Sequence, residues 1–232
     1  MEHLFKNDFI KVVRDEKSGD TVVCDTDAVA VLVYLKDLDC LVFIEQKRPA
    51  KKYGQHQHDP DSMEIVAGRF DGNYTIQQLA VKEVEEEIGL KLSEAEVVIV
   101  NDGSPISLSP GIVSGAAYLA YVEVDSRRLS ARDHYQTEGG EDIRRHVISC
   151  REVVNMTFND AKTMALVSWF LSRKRLSLLL TTGTEAKVRE TLAEVGEILE
   201  KRPELAQLKK EFSSFVTAAK TFWKTLQKER NS

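Results

Sequence analysis

Apolar and polar positions follow one rhythm in the first three quarters of the chain and another in the last. Between residues 9 and 48, β-branched and apolar runs at 9–13, 21–23, 28–34 and 40–44 are separated by polar turns such as Lys17-Ser18-Gly19-Asp20 and Lys36-Asp37-Leu38-Asp39. That pattern predicts strands joined by hairpins. Residues 49–62 form a polar loop containing His56 and His58, and a short apolar stretch at 63–67 leads into a glycine-bearing turn at 68–73. A helix is expected from about Thr75 to Gly89, where glycine can occupy the first position past the helix end. Further strands are predicted at 97–101, 116–124 and 143–149. Ser149 and Glu152 then have the spacing of a capping box for a short helix, and residues 160–175 read as a longer one.

After Thr181-Thr182-Gly183 the pattern is helical only. Residues 184–202 and 204–230 flank Pro203, which ends or bends the first of them. In the second, Leu205, Leu208, Phe212, Phe215, Ala219, Phe222 and Leu226 form an apolar seam. The patterning leaves open whether that seam folds onto its own domain or pairs with another subunit.

Composition narrows the function classes. No apolar run approaches the roughly 20 residues that span a bilayer, and the start lacks the basic and apolar regions of a secretory signal. A cytoplasmic protein with no membrane partner is expected. The 32 Lys and Arg against 37 Asp and Glu give a net charge of −5, without the basic excess of a phosphate-backbone binder, so duplex nucleic acid is not an expected partner. Cys24, Cys40 and Cys150 are odd in number and widely spaced, which points to reduced thiols rather than a zinc site or disulfide framework.

Candidate chemistry is concentrated between Thr75 and Leu90. On a helical wheel with Ile76 at zero, Ala80 and Val84 fall near about 40° and 80°, and Leu79 near about 300°. Glu83 at about 340° and Glu87 at about 20° lie inside this apolar arc, whereas Glu85 at about 180° points away and Glu86 at about 280° sits on the edge. Two carboxylates one turn apart therefore face inward. Such a pair needs protonation, a cationic side chain or a metal ion. Hard oxygen ligands favour magnesium, with manganese as the alternative, and such ions keep phosphate oxygens among their remaining ligands.

The same residues resemble the Nudix box, G-x5-E-x7-R-E-U-x-E-E-x-G-U with U aliphatic. Gly68 opens it and Lys82-Glu83-Val84-Glu85-Glu86-Glu87-Ile88-Gly89-Leu90 closes it in register, although Tyr74 replaces the first glutamate and Lys82 the arginine. Over roughly residues 25–175, Glu45-Gln46-Lys47-Arg48-Pro49-Ala50, Met63-Glu64-Ile65-Val66-Ala67-Gly68, Ser109-Pro110-Gly111 and Gly140-Glu141-Asp142-Ile143-Arg144 are similar to successive landmarks of the ADP-ribose and nucleoside-diphosphate-sugar pyrophosphatase branch.

The resemblance implies an α/β fold, a Nudix α/β/α sandwich with a mixed sheet, preceded by N-terminal antiparallel strands and followed by a helical extension. The corresponding segments are 1–24, 25–180 and 184–232. It implies that the Ala67 carbonyl, Glu83, Glu87 and Glu141 hold divalent ions, and that Glu138, Glu141 and Glu86 are the catalytic candidates, with Glu138 as the general base and Glu141 as its fallback. Arg48, Arg69 and Gly111 are the implied substrate contacts, with a salt bridge to Glu64 as the structural alternative for Arg48. Ser114 is followed by Gly115 where the branch often has glutamate, which puts the sugar and base preference in doubt. The implied reaction is metal-dependent hydrolysis of ADP-ribose, or of a UDP- or GDP-linked sugar, by a homodimer. The rival class is a Nudix-fold sensor that binds a nucleotide sugar without cleaving it. Trp169 and Phe170 read as core rather than as a nucleobase platform.

Overall fold

A computed structural model describes residues 2–7, 10–53, 59–137 and 140–182, together with 193–197, 200, 201, 213 and 217; for 175–182 the backbone alone is described. His56, His58, Glu138, Gly139 and most of the helical extension at 184–232 lie outside the described residues. The chain divides into two compact units, Met1–Phe170 and Leu171–Ser232.

The first unit begins with a small antiparallel sheet of β1 (Glu2–Lys6), β2 (Lys11–Arg14) and β3 (Thr21–Cys24). All five residues of β1 are exposed, so no buried alternation marks it in the sequence. The larger sheet is built around β4 (Ala28–Leu35) and β10 (Ala116–Val124), which pair in parallel. Both are near-continuous apolar runs because both faces of the sheet are covered. On one side β4 is followed by β5 (Cys40–Lys47), then by β12 (Asp142–Ser149) and the short edge strand β11 (His134–Gln136), all antiparallel. On the other, β8 (Val98–Ile99) and β9 (Ile106–Ser107) pair with β10.

One face of this sheet packs Val31, Val33, Val42, Ile44 and Val122 against Leu79, Ala80, Val84 and Ile88 of helix α1 (Ile76–Ile88). The opposite face is closed by Phe158 and by residues 161–170 of helix α3 (Ala161–Thr182). There Phe158 stacks on Phe43 with ring centroids 5.3 Å apart, Phe170 sits 4.9 Å from Tyr34, and Trp169 meets Tyr121 edge-on. Phe170 is thus a core residue, and half-buried Trp169 packs on the same Tyr121 ring. The short helix α2 (Cys150–Val153) is capped as its sequence predicts: Ser149 Oγ accepts from the Glu152 amide at 3.2 Å and Glu152 accepts in return. A mixed sheet between helices, with antiparallel strands at the N-terminus, is the α/β architecture expected from the sequence.

β4 and β5 pair only through Val33–Leu35 and Cys40–Val42 and then part. Into the gap come β6 (Asp61–Glu64), paired with β5, and β7 (Val66–Arg69), paired with β4. This split positions the candidate site. No helix among the described residues is long and apolar enough to cross a membrane, and all three cysteines are free thiols.

Candidate active site

Helix α1 is held in register from both ends. Thr75 Oγ1 accepts from the Gln78 amide at 3.1 Å while Gln78 Oε1 accepts from the Thr75 amide at 3.0 Å, a reciprocal cap. At the far end Gly89 turns into the left-handed region with φ 68°, and the Arg145 guanidinium donates to the Ile88 carbonyl at 3.0 Å, placing a cation where the helix dipole is negative. The rotation so fixed buries Leu79, Ala80, Glu83, Val84, Glu87 and Ile88. Glu85 remains exposed beside Lys91, and Glu86 is intermediate. The wheel therefore places every glutamate correctly.

Glu87 is 2% exposed, and its Oε2 accepts the Ala67 amide at 3.3 Å. Burial, reinforced by the neighbouring Glu83 and Glu141 carboxylates, pushes its pKa well above the carboxylate range; the Ala67 N–H and Arg48 offset this only in part. Glu83 lies over the backbone of Gly68, where a Cβ would overlap its carboxyl carbon, so this approach requires glycine. Burial raises the Glu83 pKa too, with Glu86 adding to the rise and Lys82 opposing it. Lys82 Nζ sits 3.4 Å from Glu83 and 3.2 Å from Glu86. Burial would depress its ammonium, but these two carboxylates more than compensate and keep it protonated.

The amide of Phe70 donates to the Asp27 carbonyl, and hydrogen-bonded pairs alternate along an antiparallel ladder. Ala67, opposite Ala30, is thus in a non-hydrogen-bonded pair, with its N–H and C=O turned away from β4. The N–H meets Glu87, and the carbonyl leaves the ladder on the same edge.

Across the cleft, Arg48 holds Glu64 with a two-bond fork, Nε to Oε1 at 3.0 Å and Nη2 to Oε2 at 2.9 Å, so the salt bridge posed as the alternative for Arg48 is present. Its remaining edge, Nη1, faces Glu141 Oε1 at 3.7 Å, which leaves N–H groups for an incoming anion. Glu64 is 3% exposed and is also approached by Lys162 Nζ at 3.7 Å. Lys162 binds Asp160 at 2.6 Å, and Asp160 accepts the Thr163 hydroxyl at 2.7 Å and amide at 2.9 Å. The fully buried Thr163 in turn accepts the Ile65 amide at 3.0 Å. This knot fixes the Glu64–Ile65 corner and was missed from sequence. Its one local signal is Asp160 three residues before Thr163, in the position of a helix cap.

Glu83, Glu87 and the Ala67 backbone converge, with Glu86 beside them and Arg48 and Glu141 on the facing wall. Arg69 and Gly111 do not join them. Arg69 leaves β7 on the face opposite Gly68 and is engaged by Asp25 and by Thr26 Oγ1 at 3.0 Å. Gly111 is in an exposed turn tied to β3, where the Val23 amide donates to the Ile112 carbonyl at 2.7 Å. Ser114 Oγ accepts the Asp25 amide at 3.1 Å, and a Cβ on buried Gly115 would come within 2.9 Å of the Thr26 carbonyl. The backbone thus explains why no glutamate stands at 115.

Two glutamates and a backbone carbonyl are a hard, anionic oxygen set, and the raised Glu87 pKa is that of a carboxylate whose burial outweighs its counter-charge. Both fit a divalent cation. Among the described residues no group of three or more His, Cys, Asp or Glu side chains is placed to hold a metal ion. An open, two-carboxylate site suits magnesium, which retains waters and substrate phosphates.

No family model matches the chain. Over 123 residues it is 30% identical to the ADP-ribose pyrophosphatase of Haemophilus influenzae, a stretch covering 52% of this chain and 54% of that protein. The chain thus spans about half the length of the curated relative it matches.

Proposed function

We propose that this chain hydrolyses the pyrophosphate bond of ADP-ribose or a related nucleoside diphosphate sugar in the presence of magnesium, releasing a nucleoside monophosphate and a sugar phosphate. The observation that carries this reading is the inward pair Glu83 and Glu87, buried without an adequate cation. The likeness to an ADP-ribose pyrophosphatase supports the reaction class.

In this reading Glu83, Glu87 and the Ala67 carbonyl hold the ion. A bound ion would supply neutralisation of the charge that grows on the diphosphate as water attacks phosphorus. The protein supplies the rest. The Nη1 edge of Arg48 exchanges its loose approach to Glu141 for a phosphate oxygen, and Glu64 keeps the guanidinium plane fixed during that exchange. The proton of the attacking water goes to Glu138 as the general base, with Glu141, freed by the exchange, as its fallback. Lys82 steadies Glu86 beside Glu83.

The test is turnover of ADP-ribose, UDP-glucose and GDP-mannose, read as inorganic phosphate after phosphatase treatment, with and without magnesium. Magnesium-dependent turnover of at least one is expected. Binding without turnover would instead favour a nucleotide-sugar sensor.

A further inference from the structure

Strand β5 carries a buried side-chain amide whose nitrogen is unpartnered among the described residues. Gln46 is 4% exposed, and its Nε2 has no hydrogen-bond partner among the described residues. Native interiors rarely contain such a group, because its lost hydration is not recovered, whereas an apolar side chain of the same shape would pack there at no such cost. The position is therefore poorly suited to stability alone.

Its place in the sheet indicates what it awaits. Side chains two apart share a face, so Gln46 stands between the core residue Ile44 and Arg48. The register with β6 sets Ile44 opposite Glu64 and Gln46 opposite Ser62, at the point where β4 and β5 have parted. Gln46 and Arg48 thus project from one strand face about 7 Å apart at their backbones, a span that a diphosphate can bridge. The nearby carboxylates are engaged: Glu64 by the Arg48 fork and Glu87 by the Ala67 amide. A second cation at position 46 would compete with a metal ion for Glu87; a neutral donor recognises an anion without doing so.

We propose that Gln46 is a substrate-binding residue, its Nε2 donating to a non-bridging oxygen of the diphosphate alongside Arg48. This rests on the hydrolase reading and adds to it a contact independent of nucleobase and sugar. A group left unbonded in the free protein and bonded in the complex contributes to affinity at the expense of stability, so removing it moves the two in opposite directions.

The experiment is Gln46→Met, which keeps the volume and removes the polar atoms. Melting temperature is measured in chelator, and kcat and KM are measured with magnesium on every panel substrate the wild type hydrolyses. The variant is expected to melt about 2–6 °C higher and to lose about ten- to a hundredfold in kcat/KM on each substrate alike. Gln46→Glu, which sets a carboxylate against the phosphate, is expected to lose more. Unchanged kinetics, or a lower melting temperature with kinetics that follow the folded fraction, overturns the assignment. If the wild type binds ADP-ribose without cleaving it, the same loss is expected in affinity. A wild type that neither cleaves nor binds any of the panel removes both readings, whereas an active wild type matched by Gln46→Met removes this one alone.

Discussion

Two groups of acidic side chains are withdrawn from water on this scaffold and are completed in opposite ways. At the start of α3, burial would raise the Asp160 carboxyl, but the Lys162 ammonium and Thr163 hydroxyl hold it below its ordinary range. Glu64, next to it, has the Arg48 fork on one side and Lys162 on the other. Every oxygen has a protein partner, so the knot is structurally complete. On α1, Glu83 and Glu87 are buried to a similar degree, yet their pKa values rise because the nearest cations fall short of compensating burial. The contrast separates a buried charge that fastens a corner from one left without enough counter-charge, where the proposal places a divalent ion.

The largest expected effect is on chemistry. Glu87→Gln should lower magnesium-dependent turnover by two to three orders of magnitude or more, about the loss seen when one charge-stabilising group leaves an active site. Circular dichroism should show the fold intact. Wild-type turnover in this variant would mean that the open pair does not serve catalysis.

Next in size is Lys162→Met. Removing one partner from a buried charge cluster costs about 3 kcal/mol or more, which lowers the melting temperature of a chain this long by roughly 6–12 °C. In chelator Glu87→Gln should move the melting temperature upward instead. Equal signs for the two variants would erase the distinction between closed and open carboxylates.

The distinction also has a pH signature. Folded Glu87 holds its proton more tightly than the unfolded chain does, so metal-free stability falls as pH rises from about 4.3, the ordinary glutamate value, through the raised folded value. Asp160 has the opposite linkage: its contribution is present above about 3.9 and is lost as pH falls through the lowered folded value. Urea melts in chelator from pH 3 to 8 should show both limbs, and Glu87→Gln should reduce only the upper one, down to the part that Glu83 contributes. A Glu87→Gln profile whose upper limb is undiminished would assign it elsewhere.

The smallest effect belongs to the surface. Exposed Arg128 holds half-buried Glu96 down to about 2, yet solvent screens such pairs, and Arg128→Ala should cost under about 1 kcal/mol in urea melts. A larger loss would mean that surface pairing rivals the buried knot.

What the sequence revealed and concealed follows the reach of each interaction. α1 was legible because its signals are local: Thr75 and Gln78 close one end, Gly89 the other, and a period of 3.6 places Glu83 and Glu87 inward. The Ser149 and Glu152 box was legible for the same reason. Strands β1 and β11 were not, since one is fully exposed and the other is three residues with only Tyr135 buried. The stretch 63–67 read as one apolar segment because its division between β6 and β7 depends on partners 18 to 37 residues away, β5 and β4. Helix α3 extends to Thr182, past the expected end at 175, since no breaker stands between. The knot joining Glu64 to Lys162 spans 98 residues, and no local pattern announces it. Gln46 was visible only as part of a landmark, although counting by twos from Val42 and Ile44 would have put it inside.

The most direct measurement is manganese binding, followed by electron paramagnetic resonance, in the wild type and in the Glu83→Gln/Glu87→Gln double variant, each with ADP-ribose present. Tight manganese in the wild type and its loss in the double variant are expected. Equal binding in the two proteins, or none in the wild type, would contradict the claim that this buried pair exists to hold a divalent ion.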